Sequence, residues 1–179
     1  IDGSNSMWAQ MDDTHKIVAA REVLGELIET LPQDLHLGIV AYGHRRKSDC
    51  NDVEVLVELG PDNKAKALEA IGSLNPLGKT PLSLAVLHAA EMLKGKNGRR
   101  LILLVSDGEE SCGQDPCVAV TDLLDEGLGF VMHVVGLAVS PDAREQLECM
   151  ADAAGGEFFS ADDVDLLRDS LIEALSKVR

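Results

Sequence analysis

Aromatic side chains are scarce. In 179 residues there are one Trp, one Tyr and three Phe, too few rings for a stacking platform that would bind single-stranded nucleic acid. Basic residues are also in the minority, 16 against 31 acids, for a formal charge of −15. A chain this acidic repels nucleic-acid phosphates and anionic lipid, so neither is expected as a partner. No apolar run approaches the roughly 20 residues that span a bilayer, and direct membrane insertion by this domain is not expected. Zinc-type spacing is missing too: none of the four cysteines forms a C-x-x-C or has a histidine at ligand spacing.

The length suits one domain, residues 1–179, with a sizeable core. Apolar residues make up 45% of it, ordinary for a globular protein. Hydrophobic periodicity then divides the chain. Residues 14–31 read as a helix with Ile17, Ala20, Leu24, Leu27, Ile28 and Leu31 on one face, capped by Asp13 or Thr14 and followed by Pro32. Residues 35–42 form a strand, 43–52 a polar loop, and Val53, Val55 and Val57 mark an edge strand. The short link between these two strands makes them antiparallel. A short helix over 63–71, a loop over 72–80 and a helix over 81–93 with Pro81 in its first turn come next. Leu101–Ser106 reads as a buried strand. A helix from Asp115-Pro116 to about Glu126, a strand over 130–137, a helix over 141–154 ended by Gly155-Gly156, and a short strand at Glu157–Phe159 follow. Val164, Leu167, Leu171, Leu175 and Val178 give a last amphipathic helix.

Strands alternating with helices predict an α/β fold: a doubly wound, mostly parallel sheet with one antiparallel edge strand and helices on both faces. Ligands of such sheets bind beyond the carboxyl ends of the strands, where the strand order reverses.

Three stretches carry oxygen ligands toward that place. Asp2-Gly3-Ser4-Asn5-Ser6 spaces a carboxylate and two hydroxyls at alternate positions. Thr80 stands just before a helix. Asp107 ends the buried strand. Carboxylates and hydroxyls are hard donors, suited to Mg²⁺, Mn²⁺ or Ca²⁺. Other readings fail on spacing. Gly72 and Gly78 enclose five residues rather than the four of a Walker A loop, and no strand precedes them. No G-x-S-x-G elbow places a serine near a histidine.

The pattern D-x-S-x-S…T…D, on Asp2, Ser4, Ser6, Thr80 and Asp107, resembles the metal-ion-dependent adhesion site of the von Willebrand factor A family, the integrin I-domain family. The runs Asp2–Trp8 and Ser106–Cys112 are most similar to its bacterial members. Asn5 stands where the family has Gly, at a non-ligand position. The family places a central strand before the first Asp, so this sequence is expected to open inside that strand.

The resemblance implies a Rossmann-like domain in which Asp2, Ser4, Ser6, Thr80 and Asp107 hold Mg²⁺ (or Mn²⁺ or Ca²⁺), directly or through water. Neutral hydroxyl ligands leave the ion with positive charge for an outside anion, so the implied partner is a protein presenting Asp or Glu. With no positioned base beside the site, an enzyme is not expected. The function expected is an adhesion or sensing module; an intracellular subunit that docks on an ATPase, or a domain with a purely structural metal, are the alternatives. Asp12 and Asp13 offer a second cation site, and Glu109 and Glu110 either a field beside the metal or a solvated loop.

The four cysteines discriminate. An even count favours disulfides, hence an extracellular, periplasmic or cell-surface location; reduced thiols favour the cytoplasm. Adjacent crossovers place the Cys117 and Cys149 helices side by side. That favours Cys117–Cys149 with Cys50–Cys112 over a local Cys112–Cys117 pair.

Overall fold

A computed structural model describes residues 1–176 of the chain; Val178, expected on the last helical face, lies outside them. After a short 3₁₀ turn at Asn5–Trp8, the elements run β1 (Gln10–Met11), β2 (Thr14–His15), α1 (Lys16–Thr30), β3 (Leu37–Tyr42), β4 (Val53–Gly60), α2 (Lys64–Ser73) and α3 (Leu82–Leu93). Then come β5 (Leu101–Ser106), α4 (Pro116–Asp125), β6 (Val131–Leu137), α5 (Pro141–Ala153), β7 (Phe158–Ala161) and α6 (Val164–Ser176).

β3 and β4 pair antiparallel, and β5, β6 and β7 pair parallel in that order. Ile1–Gly3 join the two groups. The Asp2 amide donates to the Val105 carbonyl at 3.0 Å, the Tyr42 amide to the Ile1 carbonyl at 3.3 Å, and the Gly3 amide to the Tyr42 carbonyl at 2.8 Å. The order is therefore β4, β3, Ile1–Gly3, β5, β6, β7. The chain leaves its first segment toward β3 on one side and later returns to β5 on the other. The order reverses between Asp2 and β5, the place at the carboxyl ends where sheets of this kind form their binding crevice.

The sheet divides the core in two because strand side chains alternate. Ile39, Ala41, Val105, Val135 and Leu137 meet α1, α2 and α6; Tyr42, Ile102, Leu104, Met132 and Val134 meet α3, α4 and α5. Fully buried Leu and Ile side chains such as Ile17, Leu82, Leu147 and Leu171 each contribute about 1.5–3 kcal/mol. Met7, Met11, Met132 and Met150 are core residues as well.

Several element ends differ from expectation. The helix expected over 14–31 starts at Lys16, because Thr14 and His15 pair with Met11 and Gln10 in a hairpin. Its N-cap is His15, without a side-chain bond, so neither Asp13 nor Thr14 caps it. Pro81 is the N-cap of α3 rather than a first-turn residue. At α4 the expected cap holds: Asp115 Oδ1 accepts the amides of Cys117 and Val118, with Pro116 next. Both favoured disulfides are present, Cys50–Cys112 with Cα atoms 5.6 Å apart and Cys117–Cys149 at 5.7 Å.

Candidate metal site

Asp2 is buried and fully bonded. Its Oδ1 accepts the Ser4 amide at 2.7 Å, and its Oδ2 accepts the Ser106 hydroxyl at 2.6 Å. The Tyr42 hydroxyl donates in turn to Ser106 Oγ at 3.0 Å. Burial, with the Asp2 charge beside it, pushes the Tyr42 phenol well up, so it remains a donor. A chain of three side chains thus orients the first carboxylate.

The backbone carries Ser4 and Ser6 past Asp2. Ser4 Oγ and Ser6 Oγ stand 2.9 Å apart, and the Ser6 hydroxyl donates to Asp107 Oδ1 at 2.6 Å. Asp107 arrives at the end of β5, on the far side of the crevice, because a buried apolar strand ends there.

Thr80 is brought in by the loop before α3. The Asn5 amide donates to the Gly78 carbonyl at 3.1 Å, the Leu77 amide to Gly3 at 3.0 Å, and the Gly78 amide to Gly43 at 2.6 Å. Gly43 has φ +68°, and a β-carbon there would collide with the Lys79 carbonyl, so only glycine fits this crossing of loops. A β-carbon at Gly108 would lie 3.7 Å from Thr80 Oγ1 and 3.8 Å from Ser6 Oγ. Both hydroxyls therefore border the same bare patch of backbone.

All five expected residues thus gather at one crevice. Asp2, Ser4, Thr80 and Asp107 are buried and Ser6 is exposed at the mouth. Among the described residues no group of three or more His, Cys, Asp or Glu could hold a metal ion. A cation site here needs its hydroxyls, and the donor set fits a hard divalent ion.

Two participants went unnoticed in the sequence. Ser106 was read only as the end of a strand. Lys16 is buried, and its ammonium donates to Asp107 Oδ2 at 3.0 Å and to the Ala138 carbonyl at 3.2 Å. A signal existed: Lys16, Ala19, Ala20 and Val23 share one helical face, and the last three are apolar. Burial pushes the Asp107 carboxyl above its usual range and the Asp2 charge adds to this; Ser6 and Lys16 pull the other way without cancelling it.

Two of the neighbouring acids, Glu110 and Asp12, have structural duties. Glu110 accepts the amides of Ser83 at 2.9 Å and Cys112 at 2.8 Å. Asp12, at φ 52°, accepts the Val164 amide at 3.0 Å.

Fold and site together define a doubly wound α/β domain with an oxygen-lined crevice at its switch point. Residues 1–110, more than half of the chain, match the model of the von Willebrand factor type A domain, and the chain belongs to that family. It is 27% identical over 173 residues to the uncharacterized protein YwmD of Bacillus subtilis strain 168, covering 92% of this chain and 77% of that one. The fold is similar to the vWF domain of the type V pili tip protein Mfa5 from Porphyromonas gingivalis, with TM-score 0.78 and 13% identity over 99% of this chain and 92% of that one. It is also similar to proximal thread matrix protein 1 from the mussel byssus, in a structure with a zinc-occupied MIDAS motif. There the TM-score is 0.73 and the identity 15%, covering 98% of this chain and 43% of that one.

Proposed function

We propose that this domain is a protein-binding module of adhesive or sensing type that works through a divalent cation at the crevice. The observation that carries the reading is the convergence of Ser4, Ser6 and Asp107 through contacts of 2.9 and 2.6 Å, with Thr80 beside them, in a chain of this family. Ser4, Ser6 and Thr80 would supply hydroxyl oxygens, and Asp107 a carboxylate. Asp2, like Asp107, would act directly or through water. Mg²⁺ is the cation proposed, with Mn²⁺ and Ca²⁺ as substitutes. Zinc in the motif of the byssus protein makes Zn²⁺ a necessary comparison.

A bound divalent ion supplies an electropositive point at the open mouth of the site, the chemistry that selects an Asp or Glu of a partner protein. Ser6, exposed at the rim, is placed to meet that group. Among the described residues no histidine or further carboxylate is hydrogen-bonded to Ser4, Ser6 or Asp107 as a general base would be, so binding rather than catalysis is proposed.

The two disulfides support an oxidising location, outside the cytoplasm or on the cell surface. They weigh against a cytosolic subunit docked on an ATPase. Isothermal titration of the metal-stripped domain with Mg²⁺, Mn²⁺, Ca²⁺ and Zn²⁺ tests the reading. One ion per chain, lost in Ser6→Ala and Asp107→Asn variants that keep wild-type circular dichroism, is expected. Failure of the folded wild type to bind any of the four overturns it.

A further inference from the structure

Lys16 is the one ammonium that enters the crevice among the contacts described. Its side chain is 8% exposed and that of Asp107 only 1%. Burying a lysine costs several kcal/mol unless its charge is paired and its protons are bonded. Here Asp107 Oδ2 and the Ala138 carbonyl satisfy it. The position is set by the fold, because Lys16 is the first residue of α1 and the hairpin β1–β2 aims that helix start at the end of β5. Neither oxygen of Asp107 is left without a donor: Oδ1 has Ser6 and Oδ2 has Lys16.

Two carboxylates, Asp2 and Asp107, face each other across the crevice. Without a counter-charge their repulsion and burial would oppose the geometry that brings Ser6 to Asp107. The Lys16 ammonium supplies part of that counter-charge permanently.

We infer that Lys16 is an internal counter-cation of the metal site, which holds the site formed in the absence of metal and weakens its affinity for a divalent ion. This inference rests on the proposed cation site. Two carboxylates, one ammonium and one dication leave the loaded site with a unit of positive charge. Without Lys16 the same site would be neutral. Lys16 therefore acts as a positioning residue that trades metal affinity for attraction toward an anionic partner group.

The test uses the whole domain and the metal alone. Lys16→Met and Lys16→Gln remove the charge, with and without a polar end. Mg²⁺ and Mn²⁺ affinities are measured by isothermal titration at pH 7.5, and melting temperatures in EDTA and in saturating Mg²⁺. Expected is binding tighter by about tenfold or more, the effect of a unit charge a few ångströms away at a partly buried site. The variants should also melt lower than wild type in EDTA, with much of the gap closed by Mg²⁺. A merely structural lysine would lower melting equally in both conditions and leave affinity unchanged or weaker; that result, in a folded variant, overturns the inference. Should both variants fail to fold, ¹⁵N NMR of the wild-type lysine side chains decides. A Lys16 Nζ resonance that shifts on Mg²⁺ titration supports the inference, and one that stays unmoved while Mg²⁺ binds overturns it. A wild type that binds no ion refutes the cation site itself.

Discussion

Ser111 grips Thr80 from both sides. The Ser111 hydroxyl accepts the Thr80 amide at 2.8 Å, and the Ser111 amide donates to the Thr80 carbonyl at 3.1 Å. The next residue is Cys112, tied to Cys50 in the loop after β3. The loop that fixes one hydroxyl of the crevice is thus covalently fastened to another loop at the same end of the sheet. The second disulfide joins α4 to α5, on one face of the sheet.

The two disulfides should therefore separate by effect. Breaking either costs stability, about 2–4 kcal/mol, since the sequence separations of 62 and 32 are both long. Cys50→Ser with Cys112→Ser should also weaken divalent-ion binding, because the Ser111 clamp loses its anchor. Cys117→Ser with Cys149→Ser should leave that affinity near wild type. Urea unfolding and isothermal titration on both double variants check this. Equal loss of affinity in the two would show that the effect is global.

The chain Tyr42–Ser106–Asp2 predicts a graded response. Ser106→Ala leaves Asp2 Oδ2 without its short bond and Tyr42 without an acceptor. That should cost about 1–3 kcal/mol and lower metal affinity about 10- to 100-fold, as is usual for groups that orient ligands. Tyr42→Phe removes only the outer link and should cost about 1 kcal/mol. In a double-mutant cycle the Tyr42 effect should vanish once Ser106 is gone; strictly additive losses would contradict the chain.

Asp107 and Thr80 were legible because they stand at the end of an apolar run and just before a helical one, and Asp2, Ser4 and Ser6 because their alternate spacing resembles the family's motif. The disulfide pairing was legible from topology, since helices on adjacent crossovers lie side by side. Strands of two residues leave no readable period, so the hairpin at Gln10–His15 was missed and α1 was begun two residues early. Lys16 stayed hidden because its role depends on where the start of α1 points relative to β5. That aim is set by the hairpin. Ser106 stayed hidden because a serine ending a strand carries no local mark of a partner 104 residues away.

Asp52 gives a pH-dependent prediction. Its carboxylate accepts the amides of Arg45 at 2.8 Å and Arg46 at 2.9 Å and the Arg45 Nε at 2.8 Å. Burial alone would raise this carboxyl, but these donors outweigh burial and hold it below the usual range. A carboxyl depressed by folding stabilises the protein above its unfolded value of about 3.9, and the contribution is lost as pH falls through the lower folded value. Arg45 is 38% exposed, so solvent screens its share. Asp52→Asn should cost about 1–3 kcal/mol at pH 7, and the gap to wild type should shrink below about pH 4. Urea unfolding across pH 2.5–7 (about the range that brackets both values) measures it. A gap that persists undiminished at the acid end would rule the carboxylate out as its source.

Trp8 makes the crevice observable without a label. It is the single tryptophan of the chain, two residues after Ser6 and 39% exposed. Its Nε1 donates to the Pro76 carbonyl at 2.9 Å, and its ring meets His15 edge-on at 5.6 Å. Pro76 leads into the loop that delivers Thr80, and His15 directly precedes Lys16. An ion that draws Ser6 or Thr80 inward pulls on the short stretches of chain that carry Trp8 and Pro76. Intrinsic fluorescence should therefore change on Mg²⁺ addition, saturate with the affinity found by titration, and reverse with EDTA. The response should disappear in Asp107→Asn while the folded spectrum remains. Binding seen by calorimetry with no change in Trp8 emission would mean that Pro76 and His15 stay fixed, and that the crevice is rigid on that side.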